Sequence, residues 1–203
     1  ALLEKLKMPF VMIDRFLEEA SCSSVIVNHI QGGYAASKYL LEQGHRKIGC
    51  VTGPQELEDS RDRLTGYQKA LKEYGVPYRQ ELIYEGKYDS ESGYQGAKYL
   101  TEQKATAIFT FNDMSAYGAY NYLKKQKIHV PEQISLVGYD DIFFSELLDV
   151  PLTTVRQPVY DMGVEAVKQL AEEVENERKS QKCITFQPSL IIRNSVSVCR
   201  KEE

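Results

Sequence analysis

The sequence holds no long run of lysine and arginine, and its formal net charge at pH 7 is −4. Nucleic-acid binding rests on a basic face that neutralises phosphates, so this segment by itself is not expected to grip DNA or RNA. No apolar run reaches the roughly 18 residues that a membrane-spanning helix needs, so no membrane partner is expected. Cysteine is scarce: Cys22, Cys50, Cys183 and Cys199 are scattered, none in a Cys-x-x-Cys pair, and Cys50 lies in an apolar run. They read as reduced, mostly buried thiols, which favours a cytoplasmic protein. His29 and His129 have no neighbours at ligand spacing, so no metal site is expected. His45, at a helix end, reads as structural. Gly-x-Ser-x-Gly elements and glycine-rich phosphate loops are absent, and no cofactor is expected. No secretory signal is visible, but Leu2, Leu3 and Leu6 read as the end of an amphipathic helix leading through Met8-Pro9 into a strand. The chain is therefore expected to begin inside a domain, with earlier strands upstream.

What is present is an ordinary globular balance. The 203 residues are 42% hydrophobic and 27% charged, enough for one large domain or two small ones with a sizeable core. Short, continuously apolar runs at residues 10–13, 47–52, 82–84, 107–111, 134–138 and 153–155 suit parallel strands covered on both faces. Between them lie stripes recurring every three or four residues, predicting helices over 33–43, 60–74, 91–103, 113–125 and 161–176. Gly44 and Gly75 are natural helix stops. Alternating β and α elements predict open, mostly parallel α/β sheets with right-handed crossovers. The polar stretch 175–182 reads as a surface loop.

Ligands of such sheets bind beyond the carboxyl ends of the strands. The first strand runs into Asp14 and Arg15, the second into a loop carrying Asp59, Ser60, Arg61 and Arg63, and the third through Gly86 to Tyr88 and Asp89. The fourth ends at Asn112-Asp113, the fifth at Tyr139-Asp140-Asp141, the sixth at Arg156-Gln157. Asp and Asn pair with hydroxyls, Arg can fork across two of them, and an aromatic face can cover the C–H face of a sugar. Each feature has a plainer reading. Asn112-Asp113 and Asp140-Asp141 could cap the segments that come after them, and Arg61 and Arg63 could be solvated charges on a first helical turn. The helix dipole opposes arginine there, which suggests another demand such as a polar ligand. An acid–base role for Asp140-Asp141 is disfavoured, because two working carboxylates normally face each other across about 5–9 Å.

At these residues the sequence resembles the lactose/galactose repressor family. The motifs are Pro9 through Asp14-Arg15; Gly44-His45-Arg46-Lys47-Ile48-Gly49; Ser60 through Arg63 to Gly66-Tyr67; Phe111-Asn112-Asp113 with Ala116 and Gly118; Val130-Pro131 through Gly138-Tyr139-Asp140-Asp141; Leu152-Thr153-Thr154-Val155-Arg156-Gln157-Pro158; and Met162-Gly163 with Ala166. They run in order along almost the whole chain. The resemblance implies a two-lobed fold like the periplasmic sugar-binding proteins, with an incomplete N-terminal lobe (residues 1–46 and 156–179) and a C-terminal lobe (47–155 and 180–203). It implies a small sugar as effector in the cleft between lobes, and Asp14, Arg63, Tyr88, Asn112 and Asp140 as its contacts. Arg15, Arg61 and Asp141 would support those contacts, and Val159 would lie near the pocket. It further implies a homodimer touching through Tyr117 and Leu148, and operator DNA held by a headpiece upstream of these residues. The expected role is a non-enzymatic sensor of a sugar-utilisation repressor, with ribose or sucrose favoured. A transport-binding protein of the same fold is the alternative, and a protein corepressor in place of a sugar is a variant within the family.

Overall fold

The computed structural model describes residues 8–15, 22–176 and 182–199. The expected helix end at Leu2–Leu6 and most of the polar stretch 175–182 lie outside the described residues. The chain divides into two compact units, Ala1–Asn28 with Gln157–Pro188, and His29–Arg156 with Ser189–Glu203.

The smaller unit is a three-stranded parallel sheet in the order β1 (Val11–Ile13), β2 (Ser23–Val27), β8 (Cys183–Phe186). Helix α5 (Val159–Asn176) packs on it and closes a small core of Val25, Val27, Met162 and Ala166.

The larger unit holds six strands in the order β4 (Ile83–Glu85), β3 (Ile48–Thr52), β5 (Ala107–Thr110), β6 (Ser135–Asp140), β7 (Thr153–Arg156), β9 (Ser189–Ile191). All neighbours are parallel except β7 and β9. Its strands are apolar on both faces for a visible reason. Ile48, Cys50, Phe109, Val137, Tyr139 and Val155 pack with helices α1 (His29–Glu42) and α2 (Glu58–Glu73). Val51, Ile108 and Leu136 pack on the other side with α3 (Ser90–Glu102) and α4 (Asp113–Lys125). Successive side chains point to opposite faces, so a strand covered twice reads as a continuous apolar run.

Each helix pair approaches unusually closely, and glycine permits it. A Cβ on Gly33 would lie 2.2 Å from the Arg63 carbonyl oxygen, and one on Gly66 2.2 Å from that of Ile30. The same device joins α3 and α4: a Cβ on Gly118 would lie 1.8 Å from the Ser90 carbonyl oxygen.

The expected lobe boundaries need correction. Residues 29–46 belong to the larger unit, because α1 locks onto α2 through those glycines. Residues 183–186 belong to the smaller unit, because β8 takes its hydrogen bonds from β2. Strands β2, β8 and β9 were not expected at all. Helix α2 begins at Glu58, and its first turn carries Glu58 and Asp59, the charges a helix N-terminus favours. Arg63 therefore sits in the second turn, where the helix dipole no longer opposes it.

Candidate functional site

The parallel strands of the larger sheet bring their carboxyl ends to one edge. Among the described residues, the non-glycine positions with positive φ are Asp14 (56°), Tyr88 (63°), Lys104 (58°), Lys127 (58°), Asp140 (113°) and Asp141 (58°). The two lysines lie just past helix ends, where a left-handed residue is usual. The other four lie at or just beyond the carboxyl ends of β1, β4 and β6. Such a conformation costs about 1–3 kcal/mol per residue, persists only where the surroundings impose it, and clusters at functional sites.

Arg63 is the centre of the larger unit's edge. It is 4% exposed. Its Nη1 donates to the carbonyl oxygen of Phe111, at the end of β5. Nε and Nη2 each stand 3.4 Å from His29 Nδ1, and Nη2 is 3.5 Å from Asp59 Oδ2. The guanidinium carbon lies 4.0 Å from the ring centre of Tyr139 and 5.5 Å from that of Tyr88. Burial opposes the charge, but Tyr139, Tyr88, Asp140 and Asp59 outweigh it and hold the guanidinium's pKa above its ordinary value. A planar, delocalised cation suits this stacked, partly desolvated position better than an ammonium would.

The surroundings fix each partner. Tyr88 Oη donates to Asp59 Oδ2 at 2.7 Å. Burial raises the pKa of this phenol well above its ordinary value, with Arg63 opposing, so it stays a hydroxyl. A Cβ on Gly53 would lie 2.1 Å from the Tyr88 ring, so only glycine after β3 lets the ring lie there. Asn112 caps α4 by accepting from Ser115 N at 2.9 Å, and its Nδ2 donates to the Tyr88 carbonyl oxygen at 2.7 Å. Of the two readings left open for Asn112, capping is the one the geometry displays, and the same side chain anchors the strained Tyr88.

Asp140 and its neighbour diverge. Asp140 ends β6 and contributes to the field that keeps Arg63 charged. The side chain of Asp141 is 6% exposed and takes Arg156 Nε on Oδ2 at 2.5 Å and Arg193 Nη1 beside Oδ1 at 2.8 Å. Asp113, the neighbour of Asn112, is buried below this turn. It accepts from Ile142 N at 3.0 Å, Ser145 Oγ at 2.6 Å and Thr154 Oγ1 at 2.6 Å. Burial still raises its pKa against those three bonds.

A model of the periplasmic binding protein-like domain matches residues 37–196. The chain belongs to that family. Its relatives there are bacterial regulators. A ribose operon repressor of Haemophilus influenzae is 33% identical over 193 residues, covering 94% of this chain and 58% of the repressor. The chain thus spans a little over half the length of that relative. A LacI family transcriptional regulator from Enterococcus faecium with bound ribose superposes with a TM-score of 0.92 at 29% identity, over 98% of this chain and 74% of the other. A regulator CelR in complex with cellobiose gives 0.89 at 31%, over 96% and 61%.

Within this periplasmic binding protein-like frame, the structure brings together Arg63, Tyr88, Asn112 and Asp140. Arg61 does not join them. It is exposed and donates to the carbonyl oxygens of Gln55 at 2.9 Å and Glu56 at 2.7 Å, fixing the loop before α2. Asp14, Arg15 and Val159 belong to the smaller unit. There Arg15 is exposed, and Val159 opens α5 at 68% exposure. Tyr117 and Leu148 share an apolar cavity of about 250 Å³ with Met114, Ile142, Phe144 and Leu152. Three participants in the Arg63 cluster were given no site role by the sequence reading: His29, noted only as lacking ligand-spaced neighbours, and Asp59 and Tyr139, noted only as standing after a strand and at a strand end. The glycine pair Gly32-Gly33 was the available signal, since a Cβ on Gly32 would lie 2.2 Å from Tyr139 Oη.

Proposed function

We propose that this chain is the effector-sensing domain of a cytoplasmic LacI-family repressor of a sugar-utilisation operon. It binds a small sugar at the strand ends of the larger unit and performs no catalysis. The observation that carries the reading is the buried guanidinium of Arg63, stacked on Tyr139 and flanked by Tyr88 and Asp140. A cation and carboxylate that pair with hydroxyls, beside an aromatic face, are what a sugar needs. Ribose is the first candidate, because the Enterococcus regulator holds bound ribose and the Haemophilus relative is a ribose operon repressor. Sucrose is the second.

Operator DNA is bound by a separate helix-turn-helix headpiece of the intact regulator, consistent with the acidic balance of this segment. Two copies associate through the apolar surface around Tyr117 and Leu148, where Phe143, Phe144 and Leu147 are also exposed. The sugar binds one conformation better than another, and operator affinity follows that shift. A transport-binding protein is the competing reading. The test is direct: the full-length protein on labelled operator DNA should dissociate when ribose or sucrose is added, and should leave the sugar chemically unchanged. Saturable sugar binding with no effect on DNA would favour the transport reading, and turnover of the sugar would refute the non-enzymatic one.

A further inference from the structure

The environment of Arg63 contains one group whose chemistry is decided by geometry. His29 is the first residue of α1, buried at 5% exposure, and its ring meets the Tyr139 ring at 5.8 Å between centres. Its Nδ1 faces Tyr139 Oη at 3.0 Å and both Nε and Nη2 of Arg63 at 3.4 Å. Arginine can only donate, because a guanidinium has no acceptor. Nδ1 must therefore accept, and the ring proton belongs on Nε2.

This fixes the guanidinium's orientation. A guanidinium carries five N–H groups. One on Nη1 goes to Phe111, the one on Nε goes to His29, and one on Nη2 lies between His29 and Asp59. These contacts leave at most one N–H on each terminal nitrogen for a ligand, and two N–H groups side by side can span two adjacent hydroxyls. Without the acceptor at His29, the plane could turn about its last torsions and offer a different edge.

We infer that His29 is a positioning residue: by accepting on Nδ1, it selects which edge of Arg63 the effector meets. The inference rests on the sugar-sensing reading above and adds a residue through which Arg63 acts. Adjacent hydroxyls held by that edge make a vicinal diol the recognised chemical unit, so sugars lacking one bind weakly.

The experiment uses the full-length protein and D-ribose. Nitrogen-15 spectra of the histidine rings at pH 7.5, with the His29 signals identified by their loss in His29→Asn, should show the proton on Nε2 and an accepting Nδ1. In titrations, His29→Ala should bind D-ribose about 10- to 100-fold more weakly, the range for a lost bond to a charged group. His29→Asn, whose Oδ1 can stand near the place of Nδ1, should restore most of the affinity, although both variants lose the ring's packing. 2-Deoxyribose, which loses the hydroxyl pairs made with the 2-hydroxyl and keeps the 3,4 pair of its pyranose form, should bind the wild type more weakly than D-ribose does. A proton on Nδ1, or a folded His29→Ala that binds D-ribose like the wild type, overturns the positioning role. Failure of the wild type to bind D-ribose or sucrose overturns the sugar reading, while the ring spectrum still decides the state of His29.

Discussion

Arg63 is the side chain on which the site depends at the residue scale. Replacing it with alanine leaves the Phe111 carbonyl oxygen and Asp59 short of a partner and removes the donor proposed for the sugar. Sugar affinity should fall at least about 100-fold. Lysine should rescue poorly, because it offers a point charge in place of a stacked plane; equal affinities for Arg63→Lys and wild type would contradict the stacking account. Tyr88→Phe loses the hydroxyl's bonds to Asp59 and Ser60 and keeps the ring, so it should weaken binding by about 1 kcal/mol. The grouping of Arg63, Tyr88 and Asp140 was legible in the sequence because Tyr88 and Asp140 stand at or just after strand ends and Arg63 follows the loop after β3. His29 was not, because it opens a helix, and Tyr139 was visible only as part of a motif; the folded packing alone brings both to Arg63. Arg61 was legible only as a charge near the site, since its bonds to two loop carbonyls leave no trace in the sequence pattern.

Glycines carry the consequences at the scale of elements. Alanine at Gly66 would place a methyl group 2.2 Å from the Ile30 carbonyl oxygen, forcing α1 and α2 apart. Over-packing of this kind costs about 1–3 kcal/mol, readable as a lowered midpoint in urea, and it should weaken sugar binding as well because α2 carries Arg63. Asp113 ties α4 to β7 and to the turn after β6. Asp113→Ala should destabilise by about 2–4 kcal/mol, since three donors lose a shared buried acceptor. His45 ties the start of β3 to later strands and to the C-terminal segment. Its Nδ1 is 3.0 Å from Thr106 Oγ1, and its Nε2 is 3.0 Å from Ser135 Oγ and 3.1 Å from the Ser197 carbonyl oxygen. Burial lowers its pKa, with the Ser197 carbonyl partly opposing. The folded protein therefore resists the proton that the unfolded chain accepts near pH 6.5. The stability from neutral His45 is present above that pH and is lost as the pH falls from there toward the lowered folded value. Urea midpoints between pH 8 and 5 should show this fall, and His45→Gln should flatten it. Elements with two covered faces were readable as apolar runs. Strand β2 opens with two buried serines that shorten its apolar run to Val25–Val27, and β8 alternates exposed and half-buried residues over only four positions, so both runs are short.

The whole molecule is two units joined by a chain that passes between them after Asn28, Arg156 and Pro188. The family and its α/β architecture were legible because many short motifs keep their order and spacing along the chain. The boundaries were not. They depend on which sheet supplies hydrogen bonds to β8 and on which helix α1 packs against, and both are decided by contacts distant in sequence. If the proposed dimer forms through the apolar surface, Leu147→Asp, at a side chain 62% exposed beside the cavity, should shift the full-length protein to monomer in sedimentation equilibrium. An unchanged dimer would place the interface elsewhere.

Whether Arg63 anchors a sugar effector is decided by thermal unfolding of the full-length protein with and without ribose, beside the Arg63→Ala variant. Ligand at about 100 times its dissociation constant adds about 2.7 kcal/mol of stability. Ribose, or sucrose in its place, should raise the unfolding temperature of the wild type and leave that of the variant unmoved. Equal stabilisation of both proteins, or of neither across a broad panel of sugars, would contradict the claim.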